Sequence, residues 1–541
     1  MPFQYTETVL MQLHALASLP GGWHITSMLS EFRPTAPLPA PPQAFNMARY
    51  VLTHAWDMGD KTALSVVTPG GSGETHWTFG QLDRAVRGLA GGLLAQGLVP
   101  GDTVMLRLGN TVDFPLAFLG ANAAGLVPVP TSSQLTEAEI TKMSDLILPK
   151  LIIADHGIAL PTHSDAAIMD VDALHQLADH APAPFHMGDP ERPGYIVFTS
   201  GTSGKARAVV HAHRAIWARQ MMWDGWYGLS REDRVMHAGA FNWTYTLGTG
   251  LMDPWSVGAT ALIPAAGTPP SELGLLLARE GATIFAAAPG VYRQMLRTAV
   301  PALPTLRHGL SAGEKLPAAT RRHWIEATQT PIHEAYGMSE CSTFISGAPA
   351  HPAPKGTLGY PQPGRHIAVL SEDGQITPRD TPGIMAVHRS DPGLMLGYLG
   401  AEQDTMNRFS GDWFLTGDTV SMATDGAITF EGRSDDIMNA GGYRVSPIEV
   451  EAAMAQHPGV HEAACAEVAV NEEATIIACF YTPEGDRVPE ADLSAHAHRH
   501  LAHYKCPRQF VAVDTLPRGA NNKLLRAVLR TRFEDKTPLN L

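Results

Sequence analysis

The chain has 541 residues, 44% apolar and 17% charged, which is too much for one core and reads as two to four lobes of ordinary globular composition. Its formal charge of −14, with no basic stripe to offset it, excludes a nucleic-acid-binding surface. No stretch has the uninterrupted apolar length of a membrane span, and the opening "MPFQYTETVLMQLHALASLPGG" lacks the basic leader and apolar centre of a signal peptide.

In chain order, "EFRPTAPLPAPPQA" (31–44) is expected to run as a Pro-rich arm extended over the surface. From "FNMARYVLTHAW" to about residue 185, helical patterns alternate with short strands such as "DTVMLRL", "LVPVP" and "KLIIAD", predicting an α/β lobe with a largely parallel sheet. A second such lobe runs to about residue 350 through "GATALIP", "ATIFAAAP" and "IHEAYG". After "GTLGYPQPG" the texture turns to short strands and turns ("HIAVLSEDGQ", "GIMAVHRS", "DGAITFEGR"), predicting a β-rich subdomain. The polar, glycine-bearing "GRSDDIMNAGGYR" then has the composition of a hinge between lobes. Beyond it a small α+β unit is expected. It opens on the helix "PIEVEAAMAQH", with Ser446 as N-cap, Pro447 in the first turn and Glu449 closing a capping box. Strands "AACAEVAV" and "TIIACFY", a helix near "LSAHAHRHLAH", strand "QFVAVD" and helix "KLLRAVLRTRF" come next. The fold class is therefore α/β: a large N-terminal domain of two α/β lobes plus a β-rich subdomain (1–434), and a small mobile α+β C-terminal domain (435–541).

The stretch "YIVFTSGTSGKARAVVHAHRAI" sets a short apolar strand before a Gly/Ser/Thr run that Lys205 closes. Such a loop can turn N–H groups and hydroxyls onto an anion. It is not a nucleotide-triphosphatase loop: Gly201 lies only three residues before Gly204, Ala206 follows the lysine, and Ala208-Val209-Val210 continues as a strand. Taken alone it is equally a flexible turn. His496, His500 and His503 could share one helical face, but no carboxylate or cysteine joins them, and "HEAAC" lacks the second histidine of a zinc-peptidase motif; a solvated helix face is the expected reading. Cys341, Cys465, Cys479 and Cys506 are widely spaced, as unpaired thiols of a reducing cytoplasm would be.

Three further segments share this polarity: "HEAYGMSECS" (333–342), "WFLTGDTV" with "EGRSDD" (413–436), and "LPRGANNKLLR" (516–526). Loop, "YGMSE", "TGD…GR", "GGYR" and a late lysine, in this order, resemble the adenylate-forming enzymes: acyl- and aryl-CoA synthetases, peptide-synthetase adenylation domains and luciferases. The resemblance covers nearly the whole chain from about residue 45. "GYRVSPIEVE" and "HYKCPR" are most similar to the benzoate and medium-chain acyl-CoA ligases.

The resemblance implies an ATP-dependent carboxylate–CoA ligase acting through an acyl-adenylate, with ATP, Mg²⁺ and coenzyme A. Thr199, Ser200, Gly201, Thr202, Ser203 and Gly204 would hold the β- and γ-phosphates, with Lys205 adding charge. The family usually reads Lys-Pro-Lys here, whereas this chain has Lys205-Ala206-Arg207, which keeps the charge. Tyr336, beside Gly337 and Ser339, would stack on adenine near Gly313 and Glu314, and Glu340 would ligate Mg²⁺. Asp418 would take the ribose hydroxyls, with Arg433 near the ribose and phosphate. Lys523 would bridge the attacking carboxylate and the α-phosphate, although Asn521-Asn522 replace the usual small pair before it. Asp435 matches the hinge, Gly441 and Gly442 the border of the pantetheine tunnel, and Arg444 a phosphate contact in one lobe pose.

Asn242, Trp243, Tyr245 and Phe344 would line the acyl pocket. Amino-acid-activating relatives have an aspartate where this chain has Asn242, and an ammonium buried without a counter-charge is costly. A short- to medium-chain aliphatic or aromatic monocarboxylate is expected instead. No carrier domain follows the C-terminal unit, which favours free coenzyme A. Loading of a separate acyl carrier protein, or a catalytically silent nucleotide-binding homologue, are the rival readings. Neither nucleic acid nor an integral membrane segment is an expected partner; a homodimer is compatible with the sequence, and the terminal "PLNL" is no peroxisomal address.

Overall fold

Short runs of Val, Ile and Leu between helices form strands buried on both faces, as parallel sheets covered by helices require. In this computed structural model, residues 28–162, 165–200, 206–433, 436, 438–440, 443–471, 474–501, 503–519 and 524–534 are described. Strands Thr103–Arg107, Val127–Pro130, Leu151–Ala154 and Ala167–Asp170 pair in parallel into a four-stranded sheet. Helix Phe79–Ala95 packs against the helices Asp113–Ala123 and Val171–Ala178 and starts on a complete capping box between Thr78 and Gln81.

A nine-stranded sheet makes the second layer. Six adjacent strands in it are parallel: Ile332–Met338, His308–Ala312, Ile284–Ala286, Arg234–His237, Thr260–Pro264 and Thr62–Val67. The last of these, with its antiparallel partner Thr75–Thr78, comes from the sequence of the first lobe. The two lobes are therefore interleaved rather than consecutive. The carboxyl ends of the parallel strands open on one side, where α/β sheets of this kind bind ligands.

The hairpin Pro193–Ser200 and Ala206–Ala212 stands apart, joined by the short strand Gly397–Tyr398. Strands Ile367–Leu370, Gly383–His388, Phe409–Ser410, Trp413–Met422 and Ile428–Arg433 form the β-rich subdomain. Glu31–Phe32 pairs onto its edge, so the Pro-rich arm begins as sheet; from Arg33 to Ala44 it carries neither helix nor strand.

The C-terminal unit keeps its predicted element order: helices Pro447–Met454, Glu490–His500 and Arg526–Glu534 around strands Val460–Asn471, Ala474–Pro483 and Gln509–Ala512. Its capping box does not form. The Ser446 hydroxyl donates to the Glu431 carbonyl, and Glu449 pairs with Lys505 Nζ at 2.6 Å, because tertiary partners outcompete the local ones. Nor do the three histidines share a solvated face. His496 is buried with Nε2 against the Ala453 carbonyl at 3.0 Å, whereas His503 lies beyond the helix end. Among the described residues no helix is long and apolar enough to cross a membrane.

Candidate active site

The polar motifs converge where the hairpin, the nine-stranded sheet and the β-rich subdomain meet. Thr199 and Ser200 end the first hairpin strand, paired with Arg207 and Ala206. Gly201, Thr202, Ser203, Gly204 and Lys205 lie outside the described residues, as do Asp435, Gly441, Gly442 and Lys523. Gly441 and Gly442 are flanked by the strands Met438–Ala440 and Tyr443–Val445, the second of which carries Arg444.

The hairpin leans on the "YGMSE" segment. His211 of its second strand hydrogen-bonds the Ser339 carbonyl through Nε2 at 2.7 Å and stacks on Tyr195 at 4.8 Å. Burial lowers the His211 pKa to about 4, so its ring is neutral and Nε2 carries the donated proton. Arg207, expected to add charge to the loop, instead pairs with Asp404 at 3.1 Å and lies 5.2 Å over the Tyr398 ring. Tyr398 in turn donates its hydroxyl to Glu340 Oε1 at 2.7 Å, and burial with this carboxylate alongside raises the phenol's pKa. The Met395 N–H holds the Glu340 carbonyl at 2.7 Å. Glu340 is 8% exposed.

Among the described residues no three His, Cys, Asp or Glu side chains gather as a metal cage. A single held carboxylate fits a Mg²⁺ that arrives with phosphates and keeps water ligands.

Tyr336 sits where the register slips between Tyr336 and Gly337. A Cβ on Gly337 would overlap the Ser342 carbonyl and Thr343 Cα, so only glycine admits this bulge. The slip turns the Tyr336 hydroxyl onto Asp418, to which it donates a hydrogen bond. Asp418 is buried and lies opposite Arg433 in the adjoining strand pair. Phe344, fully buried, stands edge-on to Tyr336 at 5.3 Å. It thus supports the tyrosine and is not brought beside Trp243 and Tyr245.

Those two rings meet edge-on at 5.2 Å, and the Tyr245 hydroxyl is taken by the Leu310 carbonyl at 3.0 Å. Asn242 beside them is half-buried. The Trp243 indole covers Gly313, whose φ of +95° and lack of a side chain both matter: a Cβ there would stand 2.5 Å from Cζ2. Desolvation raises the Glu314 pKa, while Arg518 and Arg293 pull it back. Arg518 belongs to the C-terminal unit, where it pairs with Glu462 at 3.0 Å, and Arg293 reaches the same Glu462 at 3.8 Å. Arg518, bridged to Leu524, is thus the C-terminal-unit residue whose charge reaches Glu314.

Sequence reading missed Tyr398, His211 and the buried pair Arg219–Asp253, 2.6 Å apart. Arg219 donates to Ser342 Oγ at 2.5 Å, holding a non-glycine residue at φ +63° just after Glu340. Only the polarity of "HAH" and "GYLG" offered a signal for the first two.

A Ser/Thr hairpin, a tyrosine–aspartate pair and a held glutamate on adjoining elements define an AMP-binding enzyme. Comparison agrees: the AMP-binding enzyme family matches residues 53–399 and its C-terminal domain residues 449–523, and the chain belongs to this family. It is 32% identical to a benzoate–CoA ligase of Thauera aromatica, over 80% of this chain and 86% of that one. It is 28% identical to a 3-hydroxybenzoate–CoA/4-hydroxybenzoate–CoA ligase of the same organism, over 91% and 98%. Among solved structures, an anthranilate CoA ligase in complex with anthranoyl-AMP superposes with a TM-score of 0.81 at 26% identity, covering 92% of this chain and 98% of that one. A benzoate CoA ligase from Burkholderia xenovorans LB400 does so at 0.78 and 27%, over 90% and 100%. These findings bear out the expectation of an ATP-dependent carboxylate–CoA ligase of the adenylate-forming kind.

Proposed function

We propose that the protein joins an aromatic monocarboxylate to coenzyme A in two steps at this site. A carboxylate oxygen of the acid attacks the α-phosphorus of ATP and pyrophosphate leaves. The thiol of coenzyme A, giving up its proton, then attacks the acyl carbon and AMP leaves. Both partners of the first step are anions, so the site must present positive charge and fixed donors.

The observation that carries this reading is the contact of Tyr336 with Asp418 beside a Glu340 already oriented by Tyr398. It supports an aromatic face for adenine, an acceptor for the ribose and a carboxylate for the metal on adjoining elements. Tyr336 holds adenine next to Gly313, Gly337 and Glu314, Asp418 takes the ribose hydroxyls with Arg433, and Thr199 to Gly204 with Lys205 hold the outer phosphates. Glu340 would hold Mg²⁺, which would supply positive charge against the phosphates. Lys523 steadies the transition state, while the 435–541 domain turns about Asp435 to bring Gly441, Gly442 and Arg444 toward the thiol path. Trp243 and Tyr245 bound an apolar acyl pocket beside Asn242, and the aromatic-acid activities of the relatives support a ring-bearing substrate.

The test is AMP and pyrophosphate release from ATP across acetate to decanoate, benzoate and its hydroxylated forms, with and without coenzyme A. AMP release that needs both an aromatic acid and coenzyme A is expected. Release that needs a carrier protein, or none at all, would overturn the proposal. Lys523→Ala should slow adenylation about 10²–10³-fold and leave thioester formation from supplied acyl-AMP intact. Equal loss of both half-reactions would remove Lys523 from this role.

A further inference from the structure

His237 ends strand Arg234–His237 at the carboxyl edge of the parallel sheet, on the face shared by Val235, Ile284, Ala286, Leu310 and Ala312. That face is the floor on which Trp243 and Tyr245 pack. From Gly313 inward the rings succeed one another: Trp243 on the glycine, Tyr245 at 5.2 Å from it, and the His237 imidazole edge-on to Tyr245 at 4.4 Å. His237 is 0% exposed, yet neither ring nitrogen has a hydrogen-bond partner among the described residues.

Other buried histidines differ. His211 reaches the Ser339 carbonyl, His213 accepts the Met47 N–H at 3.1 Å, and His496 reaches the Ala453 carbonyl. A neutral imidazole carries one donor and one acceptor, and leaving both buried without partners is costly. A second orphan stands beside it: the Thr246 hydroxyl, also 0% exposed and without a partner among the described residues. The two converge on Gly239, where a Cβ would overlap Thr246 Oγ1 and come within 3.2 Å of His237 Nδ1. Asn110 fixes that turn, donating to the Gly239 carbonyl at 2.6 Å and accepting from the Phe241 N–H at 3.1 Å. The Tyr245 hydroxyl, held by Leu310, is not available for the same task.

We propose that His237 and Thr246 form the specificity-determining pair of the acyl site, and that the preferred acid is an aromatic carboxylate bearing a hydrogen-bonding ring substituent, a hydroxyl or an amino group. This rests on the ligase reading above. Burial keeps the His237 imidazole neutral, its pKa lowered to about 3, so it offers one N–H and one lone pair to such a group. A site with buried polar groups set for a substituent discriminates strongly against the analogue that lacks it.

The test compares kcat/KM for benzoate, the three hydroxybenzoates and the three aminobenzoates, by coenzyme A-dependent AMP release, in the wild type and in Thr246→Val, His237→Leu and His237→Asn. At least one substituted acid should exceed benzoate by about thirtyfold or more in the wild type. In Thr246→Val, which keeps the side-chain shape, and in His237→Leu the ratio should fall at least about tenfold through loss on the substituted acid. His237→Asn, which retains a donor and an acceptor, should keep more of it than His237→Leu. Thermal melting separates loss of recognition from loss of fold. A wild type that turns over benzoate within about threefold of every substituted acid overturns the proposal while leaving the ligase intact, as does a ratio unchanged in both Thr246→Val and His237→Leu. Absence of acid-dependent AMP release with every acid overturns the ligase reading itself.

Discussion

In the proposed reaction Glu340 takes a Mg²⁺ ion, and a carboxylate in that role works best when its orientation is already set. Tyr398 supplies that for Glu340, and Arg207 over the phenol ring ties the hairpin strand to the same unit. Removing a partner that orients a metal ligand typically costs about 10–100-fold in metal affinity or activity. Tyr398→Phe should accordingly raise the Mg²⁺ concentration for half-maximal pyrophosphate release about 10–100-fold, while the KM for the acid changes little. An unchanged Mg²⁺ requirement would show that Glu340 needs no such support. Tyr336, Glu340 and Asp418 were singled out from "YGMSE" and "TGD", and the Tyr336–Asp418 hydrogen bond shows the fold bringing these two motifs together, the arrangement their proposed roles need. Tyr398 and His211 were not singled out, since each acts through one contact with a segment more than fifty residues away.

The bulge at Tyr336 and Gly337 gives up regular pairing to aim a side chain. Its second strand, Ser342–Ser346, begins at a left-handed serine that Arg219 anchors from below. Gly337→Ala would force a Cβ into the Ser342 carbonyl and Thr343 backbone, costing about 1–3 kcal/mol of stability by overpacking. Melting should report that loss, and ATP-binding calorimetry should show weakened affinity because Tyr336 is turned from Asp418. Full affinity in the variant would mean that the bulge does not position the tyrosine. Helix starts depend on their surroundings in the same way. Thr78 and Gln81 close the box their spacing predicts, whereas Ser446 and Glu449, with equally good spacing, go to Glu431 and Lys505. Local capping energies of about 1 kcal/mol are easily redirected by tertiary partners.

Among the described residues, burial lowers the pKa of five buried histidines most strongly and holds them neutral. Their pKa values are lowered to about 4 for His211, His308 and His333, and to about 3 for His213 and His237. An unfolded chain takes up these protons near the ordinary value of about 6.5. A depressed histidine pKa makes the unfolded state the better proton acceptor, so stability is full above about pH 6.5 and falls as pH drops toward about 4. Each such histidine contributes about 1.4 kcal/mol per pH unit in that window. The melting temperature should hold between about pH 7 and 8 and drop steeply from about pH 6.5 to 5. A flat profile would mean that these imidazoles are already protonated or solvated in the folded protein. At the same scale, Arg526 ties the helix Arg526–Glu534 to Glu451 at 2.8 Å and to Asp436 at 3.2 Å.

Apolar periodicity, turn residues and a handful of short polar motifs were sufficient to assign the α/β class, the order of elements and the residues proposed to face the nucleotide. Each depends on chemistry within a few neighbours: strands of Val and Ile, glycine where the backbone must pass closely, a carboxylate for a ribose or a metal. The partnership of elements was decided only in three dimensions. Strand Thr62–Val67 leaves its own lobe to pair with Thr260–Pro264, almost two hundred residues on, because both present edges that neither lobe can otherwise bury. Glu31–Phe32 joins the β-rich sheet for the same reason. The residues proposed for the acyl pocket were sorted at this level too: Phe344 stands edge-on to Tyr336, and His237 and Thr246, which no motif marks, were brought together at Gly239 by the fold. Contacts between distant segments depend on how whole surfaces fit, and that information is spread over the chain rather than written beside any one residue.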